Sequence, residues 1–179
     1  MSADYKTDLK KIMDTVKKSV PTIQSVSGIK SIYSILKNTH NDLLKLQKYI
    51  PVKDLDMPLI PGKRSFRQNV IHLLNSESLN SMIIIQALTI DKPELLPIHS
   101  ERDIGALSLF EEFDIKELLT YFKLRRRMLM SLLNSLTNEQ WARKIIEKNK
   151  SRQESIYWRA RSLALHEYEH IQIMKFQMT

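Results

Sequence analysis

Two histidines stand four residues apart in the run Leu163-Ala164-Leu165-His166-Glu167-Tyr168-Glu169-His170-Ile171-Gln172-Ile173, near the end of the chain. In a helix, one turn separates them and both imidazoles project from one face. Ile156, Leu163, Ile173 and Gln177 share that face, so the rings point toward apolar surroundings. They are there either as packing residues or as ligands. A helical His-x-x-x-His pair can hold zinc or a similar ion, because one turn brings two nitrogens within reach of a common centre. A catalytic ion needs about three protein ligands and an open position. The same stretch satisfies the zinc-protease pattern His-Glu-x-x-His, in which the glutamate is the general base. Such a protease takes its third ligand downstream. The nine residues after His170 contain no histidine, aspartate or glutamate, so the protease reading is set aside, and with it a base role for Glu167.

A third ligand must then come from upstream. Three histidines are available there: His40, His72 and His99. His40 falls on the rim of an amphipathic segment and His99 in an irregular connection. His72 falls on a second, broadly apolar helix and is the leading candidate. Spacing alone leaves open the plainer reading, in which these are hydrogen-bonded core or rim histidines. Glu77, about a turn and a half beyond His72, could serve as a base, but its spacing suits a solvent-facing glutamate better.

The elements that would position these residues can be read in order. Residues 4–20 form an amphipathic helix through Leu9, Ile12, Met13, Val16 and Val20, ended by Pro21. Residues 27–50 form a long helix, ended by Pro51, and residues 51–62 a loop with Pro58, Pro61 and Gly62. Ser65 and Gln68 make a capping box that opens a helix over 66–88, apolar through Val70, Ile71, Leu74, Met82, Ile84 and Ile85. Residues 91–105 read as an irregular connection. Asp114 and Glu117 open a helix to about residue 136, in which at most one of Arg125, Arg126 and Arg127 can face inward. Thr137 to Gln140 starts a short helical turn holding Trp141, and a polar run over 147–152 follows. Ser151 and Glu154 make a further capping box, from which the last helix runs to about residue 177. The expectation is an all-α fold over one domain, 1–179. It has a four-helix bundle, an additional N-terminal helix within residues 1–20, and a short connector helix before the last helix.

Composition narrows the function. Three glycines and six prolines in 179 residues suit helices better than many short strands. No cysteine is present, which excludes disulfides, thiolate ligands and a cysteine nucleophile. Any thiol in the chemistry belongs to a substrate or cosubstrate. The net charge of +8 is spread over several helix faces without an RNA-binding, zinc-finger or basic-zipper pattern, so no dedicated nucleic-acid binding is expected. The longest apolar run, Met82-Ile83-Ile84-Ile85, is far short of a membrane span, and residues 1–6 do not read as a signal peptide. A cytoplasmic protein without a membrane partner is expected.

Three stretches together resemble the DinB-like family. They are Ser65-Phe66-Arg67-Gln68-Asn69-Val70-Ile71-His72-Leu73-Leu74-Asn75-Ser76-Glu77, the segment from Leu124-Arg125-Arg126-Arg127 to Gln140-Trp141-Ala142-Arg143, and His166-Glu167-Tyr168-Glu169-His170-Ile171-Gln172-Ile173. They cover residues 27–177 in the family's order. The resemblance implies a four-helix bundle with a divalent metal, zinc or nickel, held by three histidines that fall on His72, His166 and His170. It further implies a transferase, isomerase or hydrolase acting on a small molecule, in some relatives with a low-molecular-weight thiol cosubstrate such as bacillithiol, mycothiol or glutathione. It assigns no catalytic residue beyond the ligands. Two features depart from the family: Arg64 stands where a tryptophan often precedes the serine, and Ser151-Arg152-Gln153 stands where a glycine is common. The competing expectation is a non-catalytic bundle serving as a homodimer or partner module.

Overall fold

The computed structural model of the chain describes residues 3–148 and 153–178. Six helices account for most of it: α1 (Ala3–Lys18), α2 (Val26–Gln47), α3 (Phe66–Thr89), α4 (Ile115–Asn134), the single turn α5 (Asn138–Trp141) and α6 (Ile156–Gln177). Their starts are set locally, because the first backbone N–H groups of a helix need side-chain acceptors. The Ser25 hydroxyl accepts from the Gly28 N–H to open α2. Before α3, Ser65 Oγ accepts from Gln68 N at 3.1 Å, and Gln68 Oε1 accepts from Ser65 N at 2.9 Å. The same reciprocal box opens α4 with Asp114 and Glu117, and α5 with Thr137 and Gln140. Arg126 is the buried member of its arginine triplet, Arg127 is exposed and Arg125 lies between the two.

Backbone contacts gather into two compact units. One holds the chain up to Asn69 together with the chain from Ala164 onward, and the other is Val70–Leu163. Both boundaries fall inside unbroken helices, α3 and α6. In the first unit, α2 buries Ile32, Leu36, Leu43 and Leu46 at helical spacing. Tyr5 on α1 packs its ring on Phe176 of α6 with centroids 5.2 Å apart, and its hydroxyl accepts from Gln177. In the second, Leu118, Phe122, Leu129 and Leu133 of α4 are buried, and Trp141 meets Tyr157 edge to face. The Arg143 guanidinium donates to the Leu88 carbonyl at 2.9 Å and the Ile90 carbonyl at 3.3 Å, closing the C-terminal end of α3.

Several expectations need correcting. Residues 91–105 are not wholly irregular: β1 (Glu94–Leu95) pairs in parallel with β2 (Lys144–Glu147), and β2 pairs antiparallel with β3 (Glu154–Ser155). This small sheet is held by Ile145, fully buried, and by Arg159, which pairs with both Glu147 and Glu154. Glu154 is therefore a strand residue, and its expected capping partner Ser151 lies outside the described residues. α6 instead starts at Ile156, where the Ser155 hydroxyl accepts from Trp158 N. On α3, Met82 and Ile85 are 39% and 50% exposed, so the helix is not apolar-buried along its whole length. Among the described residues, no helix is long and apolar enough to cross a membrane.

Candidate metal centre

The site starts at the N-terminal end of α3. One turn in from the Ser65 cap, the Asn69 amide folds back on the helix and its Nδ2 donates to the Ser65 carbonyl at 2.8 Å. That bond turns Oδ1 outward, where it faces Nδ1 of His170 at 3.4 Å. An amide oxygen is only an acceptor, so this contact matches the His170 tautomer that carries its proton on Nδ1. His166, one turn earlier on α6, lies with its ring centroid 4.6 Å from that of His170, the planes inclined at 62°. Both rings are partly buried.

His72 follows Asn69 by three residues on the same helix, so α3 itself carries it to the side of Asn69 that His170 meets. Its ring is buried, and Nδ1 hydrogen-bonds the carboxylate of Glu101. With the carboxylate on Nδ1, Nε2 is the nitrogen that His72 can turn toward an ion. The ligand nitrogens of His72, His166 and His170 all lie within 4.8 Å of one another. Three imidazole nitrogens brought this close match the three protein ligands that a catalytic ion of the zinc type needs. The donor set also fits by its chemistry: the rings of His72 and His170 are oriented by an oxygen on Nδ1, the arrangement that metal-binding histidines use.

The remaining expected residues fall elsewhere. His40 is half-buried on α2, outside this cluster. His99 caps a five-residue π-helical turn, Ser100–Ile104, its Nδ1 accepting from the backbone of Glu101 and Arg102 at 3.2 Å each. Glu77 is not solvent-facing: it is fully buried, with Arg126 Nη2 at 3.3 Å from one carboxylate oxygen and Arg125 Nε 3.7 Å from the other. The apolar face assigned to α6 is also displaced. Its buried stripe runs through Ile156, Ala160, Leu163, Glu167, Ile171 and Met174, while Ile173 and Gln177 are only partly covered. Glu167 is thus as deeply buried as any aliphatic residue on the helix. Two partners of the histidines were not anticipated. Asn69 sits at helical spacing from His72 and could have been suspected, whereas nothing in the loop around Glu101 marks it.

A sequence profile described as the DinB superfamily matches residues 35–174. No curated protein sequence matches the chain. Among solved structures, YfiT from Bacillus subtilis is similar at a TM-score of 0.74 and 19% identity, over 88% of this chain and 89% of that one. It is described as a probable metal-dependent hydrolase with an unusual four-helix bundle topology. At that identity the likeness speaks for the fold. The long helices α2, α3, α4 and α6 are those of a four-helix bundle, with α1, α5 and the small sheet as additions.

Proposed function

The chain belongs to the DinB superfamily, and from that membership and the histidine cluster we propose that it is a divalent-metal-dependent enzyme acting on a small molecule. The observation that carries the reading is the convergence of His72, His166 and His170. These three are the proposed ligands, and zinc or nickel the proposed ion. Bound there, such an ion would supply Lewis acidity that lowers the pKa of a water or thiol at its open position. Three neutral imidazoles bring no negative charge of their own, so that acidity would not be offset by the ligands. Glu101 holds the His72 ring and Asn69 the His170 ring, each keeping a lone pair on Nε2. With no cysteine in the chain, a thiol nucleophile would arrive with a cosubstrate.

Hydrolysis and thiol S-transfer are the two reaction classes this arrangement serves. The hydrolase reading has support in the description of YfiT, the transferase reading in the missing cysteine. A homodimer and a low-molecular-weight thiol belong to the same proposal. The test is metal analysis of protein purified without a histidine tag, beside the His166→Ala variant. Near-stoichiometric zinc or nickel in the first and little in the second is expected. Negligible metal in both would favour a non-catalytic bundle.

A further inference from the structure

His99 was the histidine with least claim to a role, yet it stands at the head of a chain of bonds that ends on His72. Its Nδ1 accepts from the backbone N–H of Glu101 and of Arg102, and its backbone N–H donates to the Asp103 carboxylate at 2.7 Å. Arg102 closes the turn from outside, its guanidinium donating to both Asp103 oxygens at 2.7 Å and to the Pro97 carbonyl at 3.3 Å. The Asp103 N–H returns to the His99 carbonyl at 2.9 Å. The backbone N–H groups of Glu101, Arg102 and Asp103 are thereby all held by His99. Its side chain remains 43% exposed while contacting a ring that is nearly covered. A surface glutamate has several rotamers, and holding one against a buried imidazole costs side-chain entropy unless its backbone is already fixed. A five-residue π-helical turn is rare, and π turns are frequently found at functional sites.

We propose that His99 and the turn Ser100–Ile104 form a positioning strap, which sets the Glu101 carboxylate on Nδ1 of His72 and so dictates which nitrogen His72 offers to an ion. The inference rests on the metal reading for its purpose but not for its mechanics. Glu101 and His99 are positioning residues: Glu101 acts through His72, and His99 through the backbone of Glu101. Losing the carboxylate would free the His72 ring to take the other tautomer or rotate away from His166 and His170. Losing the His99 ring would leave the carboxylate in place but no longer held.

The full chain, without a tag, provides two separate readouts. The first is the His72 tautomer in metal-free protein, from long-range proton–nitrogen NMR. Wild type should carry the proton on Nδ1, and Glu101→Ala should shift it toward Nε2. The second is affinity for cobalt(II), followed by its visible absorption. Glu101→Ala should weaken binding about 10- to 100-fold, the usual cost of removing an oxygen partner from a ligating histidine. Glu101→Gln, whose amide oxygen still accepts from Nδ1, should retain the wild-type tautomer. His99→Ala should weaken binding about fivefold, the worth of one lost cap, and His99→Asn, which restores a capping oxygen, should recover it. Circular dichroism should show all four variants folded, since the substitutions lie in or beside an exposed turn. A wild-type tautomer and wild-type cobalt affinity in Glu101→Ala would overturn the proposal. A wild-type affinity in His99→Ala would remove His99 from it. If wild type binds no cobalt while Glu101→Ala still changes the tautomer, the metal reading fails and the strap stands.

Discussion

The two halves of α3 reverse the usual relation between polarity and burial. Toward its N-terminus the helix buries Asn69, His72, Asn75, Ser76, Glu77 and Asn80. Toward its C-terminus it exposes Met82 and Ile85, which with Met128 and Leu132 of α4 line a groove of about 430 Å³. Several of the buried polar groups in the first half are answered by named partners. Asn69 and Asn80 each fold their amide onto the carbonyl four residues earlier, at 2.8 Å. His72 has Glu101, and Glu77 has Arg126 and Arg125. Burying such groups without partners would cost a few kcal/mol apiece, so a chain retains them where they do something besides pack. The residues buried in the second half are mainly apolar, Ile83, Ile84 and Ala87 among them. The lesson is that polar burial, more than apolar exposure, marks the working region of this helix.

Substitutions that strike one half and spare the other give the contrast its test. The largest effect is expected at Glu77: Glu77→Ala leaves the buried Arg126 without its carboxylate and should cost about 3–5 kcal/mol in urea unfolding. A loss below 1 kcal/mol would mean the buried polar half is ornamental. Removal of metal comes next. An ion that binds only the folded chain stabilises it by about 2.7 kcal/mol at a hundredfold excess over Kd, so a chelator should lower the Tm of wild type and leave His166→Ala unmoved. In the other half, Met82→Ser and Ile85→Ser should each change stability by no more than about 0.5 kcal/mol, as ordinary surface changes do. A larger loss would show the groove to be part of the packed core.

The smallest effect concerns the strap that serves the polar half. The Arg102 guanidinium, and then the His99 backbone N–H, hold the Asp103 carboxyl down at about 2, against an ordinary 3.8. A depressed carboxyl stabilises the fold fully above its unfolded value and loses that contribution as pH falls through about 2. Carbon-detected NMR of Asp103 should show a midpoint near 2 in wild type and a higher one in Arg102→Ala, still below 3.8 because the His99 backbone N–H remains.

Features that depend on neighbours in sequence were legible without the structure. The capping signals at Ser65 and Asp114 are each closed within three residues and form as expected, and Thr137 starts the expected turn with a box of its own. That no more than one of Arg125, Arg126 and Arg127 turns inward follows from helical geometry in the same way, while which one does, Arg126, is set by packing. What escaped depends on distant partners. Glu77 and Glu167 have the spacing of ordinary helix glutamates, and only tertiary packing makes them two of the most deeply buried charges. Glu101 reaches His72 across 29 positions through a turn with no sequence signature. Strands of two to four residues, such as β1 and β2, are too short for alternation to register. The histidine pair on α6 was readable from periodicity, and its third partner, His72, from its place on a second apolar helix, which the family resemblance then reinforced.

The central claim is that His72, His166 and His170 share one ion. Crystals of tag-free protein grown with zinc or nickel, with anomalous data collected on both sides of the metal edge, test it most directly. The account predicts one strong anomalous peak about 2.0–2.1 Å from Nε2 of all three histidines, with Glu101 and Asn69 still on Nδ1 of His72 and His170. Three rings directed apart, with no peak among them at saturating metal, would contradict it.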